Sequence, residues 1–183
     1  MKYRKPAPKQ IFGAGFLFLP PNQRIHKSTQ TLSMRYLPFA LLGLVFFSCD
    51  KGRTPEQQLQ YDIEQIENYI SDHHLTAQST ASGLHYIITT PGSGGHPSAS
   101  STVKVNYVGK LLKNENVFDQ TSGTPATFAL SGLIEGWQEG IPLLQKGGKG
   151  TFFIPSALGY GPYGSGSIPA NAPLIFEIEL VDF

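Results

Sequence analysis

One cysteine, Cys49, stands in a chain of 183 residues. That excludes an internal disulfide and any zinc site built on cysteine pairs. Histidine offers no metal site either: His26, His73, His74, His85 and His96 lack metal-like spacing, and the adjacent pair would not present both rings well from a helix. Neither G-x-S-x-G nor H-E-x-x-H occurs, so the short signatures of a serine hydrolase and a zinc peptidase are missing. Gly159, Gly161, Gly164 and Gly166 lack the strand-before, helix-after setting of a phosphate loop, which argues against nucleotide binding. No cofactor and no metal is expected.

Charge is scarce and segregated. Residues 1–53 hold nine of the fourteen Lys/Arg and a single acid, Asp50. Residues 54–79 hold five acids (Glu56, Asp62, Glu64, Glu67, Asp72) and no Lys or Arg, and residues 80–183 hold five lysines and seven acids. After Cys49 seven cations face thirteen acids, a net charge of −6, which argues against a nucleic-acid partner. The helix acids read as a solvated face.

From Met34 the chain runs MRYLPFALLGLVFFSC. Arg35 supplies a short positive region, residues 37–47 are almost wholly apolar, and the small Ser48 precedes Cys49. The apolar run is short for a bilayer span and has the length of a signal-peptide core. It resembles the cleavage box of bacterial lipoproteins, whose cysteine becomes the lipid-modified first residue, although Phe46 stands where a leucine is usual. The expected organisation is a lipoprotein signal peptide over 34–48, then lipidated Cys49 with a tether over 49–53. Residues 1–33 fit no packed domain and read as a mis-called or disordered leader, with Met34 the true start; a long genuine leader is the alternative. Asp50 would retain such a lipoprotein in the inner membrane under one sorting rule.

Thr54-Pro55-Glu56-Gln57 reads as a helix start, with a capping hydroxyl, proline at the first helical position and Gln57 closing a capping box. Leu59, Ile63, Ile66 and Ile70 then make one apolar stripe on an acidic helix ending near His73-His74, within a segment 54–79. That stripe must be covered by the body of the same chain or by a second copy, giving a homodimer through residues 54–74. Beyond Gly83, residues 84–90 read as a strand and residues 91–101 as a loop. Val103, Val105 and Tyr107 alternate with polar neighbours, TFFIP at 151–155 is a strand, and Leu174, Phe176, Ile178 and Leu180 alternate to the end of the chain. Of Phe152 and Phe153, one should enter the core and one face outward. Residues 131–140 suit a short helix. Four or five antiparallel strands wrapped on a short helix, preceded by an amphipathic helix, make an α+β fold rather than βαβ.

Several segments taken in order carry a resemblance. VNYVGKL at 105–111, Val117-Phe118-Asp119, Phe128-x-Leu130 leading to Leu133-Ile134-x-Gly136-Trp137-x-x-Gly140, Gly159-Tyr160-Gly161, and Ile168-Pro169 with Leu174-x-Phe176 resemble an FK506-binding-protein-type peptidyl-prolyl isomerase over 84–183. The acidic helix behind a lipoprotein signal further resembles cell-envelope isomerases of Bacteroidetes-like bacteria, some associated with gliding. This implies an outer-membrane lipoprotein facing the periplasm. The family resemblance implies that Trp137 is the floor of a proline pocket and that Tyr107, Phe118, Phe128, Leu133, Ile134, Ile168 and Phe176 line it. It also implies that the Ile134 N–H and the Tyr160 hydroxyl meet ligand carbonyls, with Asp119 at the edge. Ala126 stands where an aromatic can occur in the family, and residues 120–124 (QTSGT) lack the arginine of some members. The loop from Gly161 to Ile168 is one residue shorter than the longest family forms.

The implied partners are proline-containing unfolded or partly folded polypeptides. Rotation about an X–Pro amide makes and breaks no covalent bond, so a pocket poor in acids and bases is compatible with catalysis. Taken singly, Trp137 fits a core position at least as well as a ligand floor. A non-catalytic peptide-binding or chaperone module, or a structural envelope lipoprotein on the same fold, is the alternative.

Overall fold

The computed structural model describes residues 52–183. The leader, the signal segment and Cys49 lie outside the described residues. Helix α1 (Pro55–Asp72) begins as its sequence predicts: Gln57 donates its backbone N–H to the Thr54 hydroxyl (3.2 Å), and the Gln57 side chain accepts from the Thr54 N–H (3.0 Å). It ends at His73, whose N–H is taken by the Tyr69 carbonyl at 3.1 Å. In the tether, Arg53 lies 3.7 Å over the Tyr61 ring.

Seven antiparallel strands follow: β1 (Gln78–Ser79), β2 (His85–Thr90), β3 (Thr102–Leu111), β4 (Val117–Gln120), β5 (Ala126–Ala129), β6 (Lys149–Ile154) and β7 (Leu174–Asp182). Their order is β1-β2-β6-β7-β3-β4, and β5 also pairs with β3. The α+β architecture is the expected one, with a larger sheet. The additions, β1, β4 and β5, are two to four residues long, too short for a period-two signal. The ten-residue β3 supports three partners, pairing with β5 near its start, β4 near its end and β7 along most of its length.

Residues 131–140 do not form one helix. A 3-10 turn (Leu130–Gly132) gives way to extended backbone at Leu133 and Ile134, then α2 (Glu135–Gly140). The Gln138 side chain donates to the Leu133 carbonyl at 2.7 Å and so pins the extended pair. Because α2 packs tightly on β6, a Cβ at Gly136 would lie 2.5 Å from Ile154.

Two apolar layers result. The larger lies between the sheet and α2 and includes Trp137, Phe152, Ile154, Phe176, Ile178 and Leu180. On the other face of the sheet, Ile66 of α1 joins Leu112, Phe153 and Ile175. Phe153 does point away from the main core, but α1 covers it and leaves it 1% exposed. Covering side chains of this size contributes about 1.5–3 kcal/mol each, so α1 is docked on its own body through the stripe. Gly83 (φ +91°) is what lets the chain turn back beneath the helix, since a Cβ there would sit 2.8 Å from Ile63. Among the described residues no helix is long and apolar enough to cross a membrane.

One expectation fails on α1. Glu56, Glu64, Glu67 and Asp72 are exposed, but Asp62 is fully buried. Its oxygens accept hydrogen bonds from Gln58 and from Ser156, and hydrogen bonding is what makes a buried carboxylate tolerable.

Candidate active site

Five elements deliver aromatic side chains to one cleft of about 280 Å3. β3 brings Tyr107, β4 brings Phe118 and Asp119, β5 brings Phe128, α2 brings Trp137 and β7 brings Phe176. Leu133 and Ile134 enter from the extended link before α2, and Tyr160 follows the 3-10 turn after β6. Trp137 is 4% exposed and is met nearly edge-on by Tyr107 (5.1 Å, 83°), Phe176 (5.1 Å, 88°) and Phe128 (6.0 Å, 86°). Phe118 stands against Phe176 at 5.5 Å and 84°. Such perpendicular pairs are worth about 0.5–1.5 kcal/mol each beyond the area they bury, so the rings hold one another in place.

The polar groups are few. Tyr107 donates its hydroxyl to Asp119 Oδ2 at 2.6 Å. Burial, and then this bond to a carboxylate, push the Tyr107 phenol well above its ordinary value. Burial and the Asp119 charge likewise raise Tyr160. Both phenols therefore stay protonated at neutral pH and can donate. Among the described residues the Tyr160 hydroxyl has no hydrogen-bond partner, and the Ile134 N–H has no backbone acceptor. The buried Trp137 Nε1 lacks an oxygen or nitrogen partner.

Nine of the ten side chains expected at the pocket thus converge on it. The tenth, Ile168, does not line the cleft; it is 8% exposed and packs in the main core. Its loop closes as a tight hairpin in which Ser165 and Ile168 exchange backbone bonds of 3.0 and 2.8 Å. Ala126 is on the same face of β5 as Phe128 but is not part of the lining.

Two participants were not foreseen. Gly132 lines the cleft and has no side chain to betray it. Thr121 ties the arginine-less loop to β3, its N–H and hydroxyl meeting the Tyr107 backbone at 3.0–3.3 Å. Larger surface clefts of about 550 and 700 Å3 lie over charged strands and the outer face of α1. They are open to solvent, and of the three only the smaller cleft gathers several aromatic rings. Among the described residues no three His, Cys, Asp or Glu side chains converge as a metal site.

An antiparallel sheet wrapped on a short helix thus holds an aromatic, nearly uncharged cleft between them. Comparison with known proteins makes this specific: the model of the FKBP-type peptidyl-prolyl cis-trans isomerase family matches residues 94–181. The chain is 48% identical over 106 residues to the FKBP-type peptidyl-prolyl cis-trans isomerase FkpA of Aeromonas hydrophila, covering 57% of this chain and 39% of that protein. It is 42% identical over 121 residues to FkpA of Escherichia coli K12, covering 65% and 44%. Among solved structures, FkpA from Escherichia coli superposes with a TM-score of 0.60 at 35% identity, covering 69% of this chain and 63% of that one. A peptidyl-prolyl cis-trans isomerase from Pseudomonas syringae superposes with a TM-score of 0.59 at 32% identity, covering 72% and 96%. The chain belongs to the FKBP-type peptidyl-prolyl cis-trans isomerase family. It spans about two fifths of the length of the curated relatives it matches first.

Proposed function

We propose that the protein is a peptidyl-prolyl cis-trans isomerase acting on proline-containing unfolded or partly folded polypeptides. The observation that carries this reading is the cleft itself: packed rings over Trp137, with two unsatisfied donors, the Ile134 N–H and the Tyr160 hydroxyl, at its margin. The X–Pro amide resists rotation with a barrier of about 18–20 kcal/mol. An apolar cleft favours the twisted amide, whose charge separation is reduced, over the planar form that water solvates well. A hydrogen bond that fits only the twisted geometry adds differential binding, and each 1.4 kcal/mol so gained is about tenfold in rate.

In this reading Trp137 is the floor and Tyr107, Phe118 and Phe176 the walls. Ile134 and Tyr160 are the donors, Asp119 orients Tyr107, and Phe128 and Leu133 complete the binding surface. Proline-limited refolding of a client tests it. The chain should accelerate the slow phase, and Trp137→Leu should remove the acceleration while circular dichroism stays native. A wild-type chain that binds proline peptides and leaves the slow phase unchanged would make it a binding module instead.

The location proposed is the cell envelope, anchored by lipid on Cys49 and facing the periplasm from the outer membrane. The pattern of residues 34–49 supports this. Labelling with a lipid probe that disappears in Cys49→Ala checks it; equal labelling of both forms refutes it. A homodimer through residues 54–74 would have to use the outward face of α1, because the inner stripe is already covered. Sedimentation decides that point.

A further inference from the structure

Asp62 is buried on α1 without a cation: among the described residues no Lys, Arg or His forms an ion pair with it. Three donors serve it instead. Gln58 Nε2, one turn earlier, donates to Oδ1 at 2.6 Å. The Ser156 backbone N–H donates to Oδ2 at 2.8 Å, and the Ser156 hydroxyl donates to the same oxygen. Ser156 is itself 2% exposed.

Ser156 opens the 3-10 turn Ser156–Leu158 that leads from β6 to the cleft. Its carbonyl accepts the Gly159 N–H at 3.0 Å, and Tyr160 is the next residue. Beyond Tyr160, the Gly161 carbonyl accepts from the Asn171 N–H at 2.9 Å. The backbone carrying Tyr160 is therefore fixed on both sides. The first of these anchors, Ser156, is itself held from α1, which lies outside the family-matched residues 94–181.

We propose that Asp62 is a positioning residue: its carboxylate on α1 grips Ser156 and so sets the angle at which the Tyr160 hydroxyl stands over the cleft. The proposal rests on the isomerase reading only in giving Tyr160 a ligand. Docking of α1 does not need this acid, since Ile66 and its apolar partners already bury the stripe. Loss of the acid alone would lower stability by leaving the buried Ser156 N–H and hydroxyl without an acceptor, so the test reads the thermal midpoint beside the rate. What Asp62 adds is direction, two bonds to a single residue at the root of the Tyr160 turn.

The test compares the full chain with Asp62→Ala, Ser156→Ala, Tyr160→Phe and the double variant Asp62→Ala/Tyr160→Phe. It reads kcat and KM on a short X–Pro peptide, thermal midpoints, and amide hydrogen exchange at residues 157–161. Asp62→Ala is expected to lower kcat/KM on the order of tenfold at a temperature where the fold is intact, mainly through kcat. Ser156→Ala, which keeps the backbone N–H bond, should cost less. In the Tyr160→Phe background the Asp62 effect should vanish, because both changes act through one hydroxyl. Exchange at 157–161 should quicken while β7 stays protected.

A lowered midpoint with wild-type kcat/KM overturns the proposal, and so does an Asp62 effect of full size in the Tyr160→Phe background. If wild type itself shows no isomerisation, the isomerase reading fails separately. The exchange data then decide: unchanged protection at 157–161 in Asp62→Ala overturns the positioning role and faster exchange supports it. Should Asp62→Ala fail to fold, Ser156→Ala carries the same measurements: a loss of kcat/KM that vanishes in the Tyr160→Phe background supports the proposal, and a lowered midpoint with wild-type kcat/KM overturns it.

Discussion

Gly109→Ala adds one methyl group where two walls of the cleft meet. Gly109 lies on β3 two residues after Tyr107, on the same face, paired across β7 with Phe176 and across β4 with Asp119. A Cβ there would stand 2.7 Å from Phe176 and 2.8 Å from Phe118. Carbon atoms in comfortable contact are about 3.5–4.0 Å apart, so at least one ring must withdraw by roughly 0.8 Å. Phe176 is 3% exposed and backed by Trp137 at 5.1 Å, which leaves Phe118, half-buried on a four-residue strand, as the freer of the two.

Overpacking of this kind costs about 1–3 kcal/mol. Alanine returns about 0.4–1 kcal/mol by restricting the unfolded chain, since Gly109 is not among the positive-φ glycines. A net loss of about 0.5–2 kcal/mol follows, a fall of a few degrees in Tm. Activity should suffer far more. A wall displaced by nearly 1 Å in a cleft of about 280 Å3 puts the proline ring out of register with the donors, and kcat/KM should fall about 10- to 100-fold. The assay is isomerisation of an X–Pro peptide beside thermal melts. Gly95→Ala serves as control, because its nearest neighbour would be 3.9 Å away. Wild-type kcat/KM in a folded Gly109→Ala protein would refute placing the reacting ring between Phe118 and Phe176.

Ile66→Ala empties the centre of the layer under α1 and should cost about 2–5 kcal/mol in urea or thermal unfolding, while exposed Glu64→Ala should stay within about 0.5 kcal/mol. At alkaline pH the raised phenols act on stability. Below about pH 10 native and unfolded chains both keep these protons; above it the unfolded chain releases them first, so stability falls as pH rises toward the native values. Tyr107→Phe should flatten part of that alkaline fall in chemical denaturation, and an unchanged slope would show that Tyr107 does not carry it.

How much of this was legible depended on whether the signal was local. The capping box of Thr54 and Gln57, the stripe through Ile66 and the alternation of β7 each lie within a few residues, and each was readable. So was the aromatic set, because its spacing matches a family pattern. Asp62 was not. On a helix with four exposed acids it is indistinguishable by composition, and the partner that buries it, Ser156, is 94 residues away. One of Phe152 and Phe153 was expected to face outward; Phe153 does point away from the main core, but only the docked position of α1 makes that face dry. Ile168 was assigned to the cleft wall by resemblance; it is 8% exposed and packs in the main core beside the cleft residues Trp137 and Phe176, without itself lining the cleft.

The cleft's chemistry follows from which polar groups are already committed. Asp119 accepts, from Tyr107, and has no hydrogen to give a carbonyl, while Trp137 Nε1 is enclosed, so neither would serve a substrate carbonyl. That leaves the Ile134 N–H, held by the extended link before α2, and the Tyr160 hydroxyl, held by the turn that Asp62 grips. Neither donor changes protonation near neutrality, since one is a peptide N–H and the other a phenol raised further by burial. The rate of such a site should therefore be flat from about pH 6 to pH 9, where an enzyme with a titrating acid or base would show a bell. Its sensitivity lies in geometry, in Gly109 for the width of the cleft and in Asp62 for the angle of a donor, positions that no inventory of acids and bases would select.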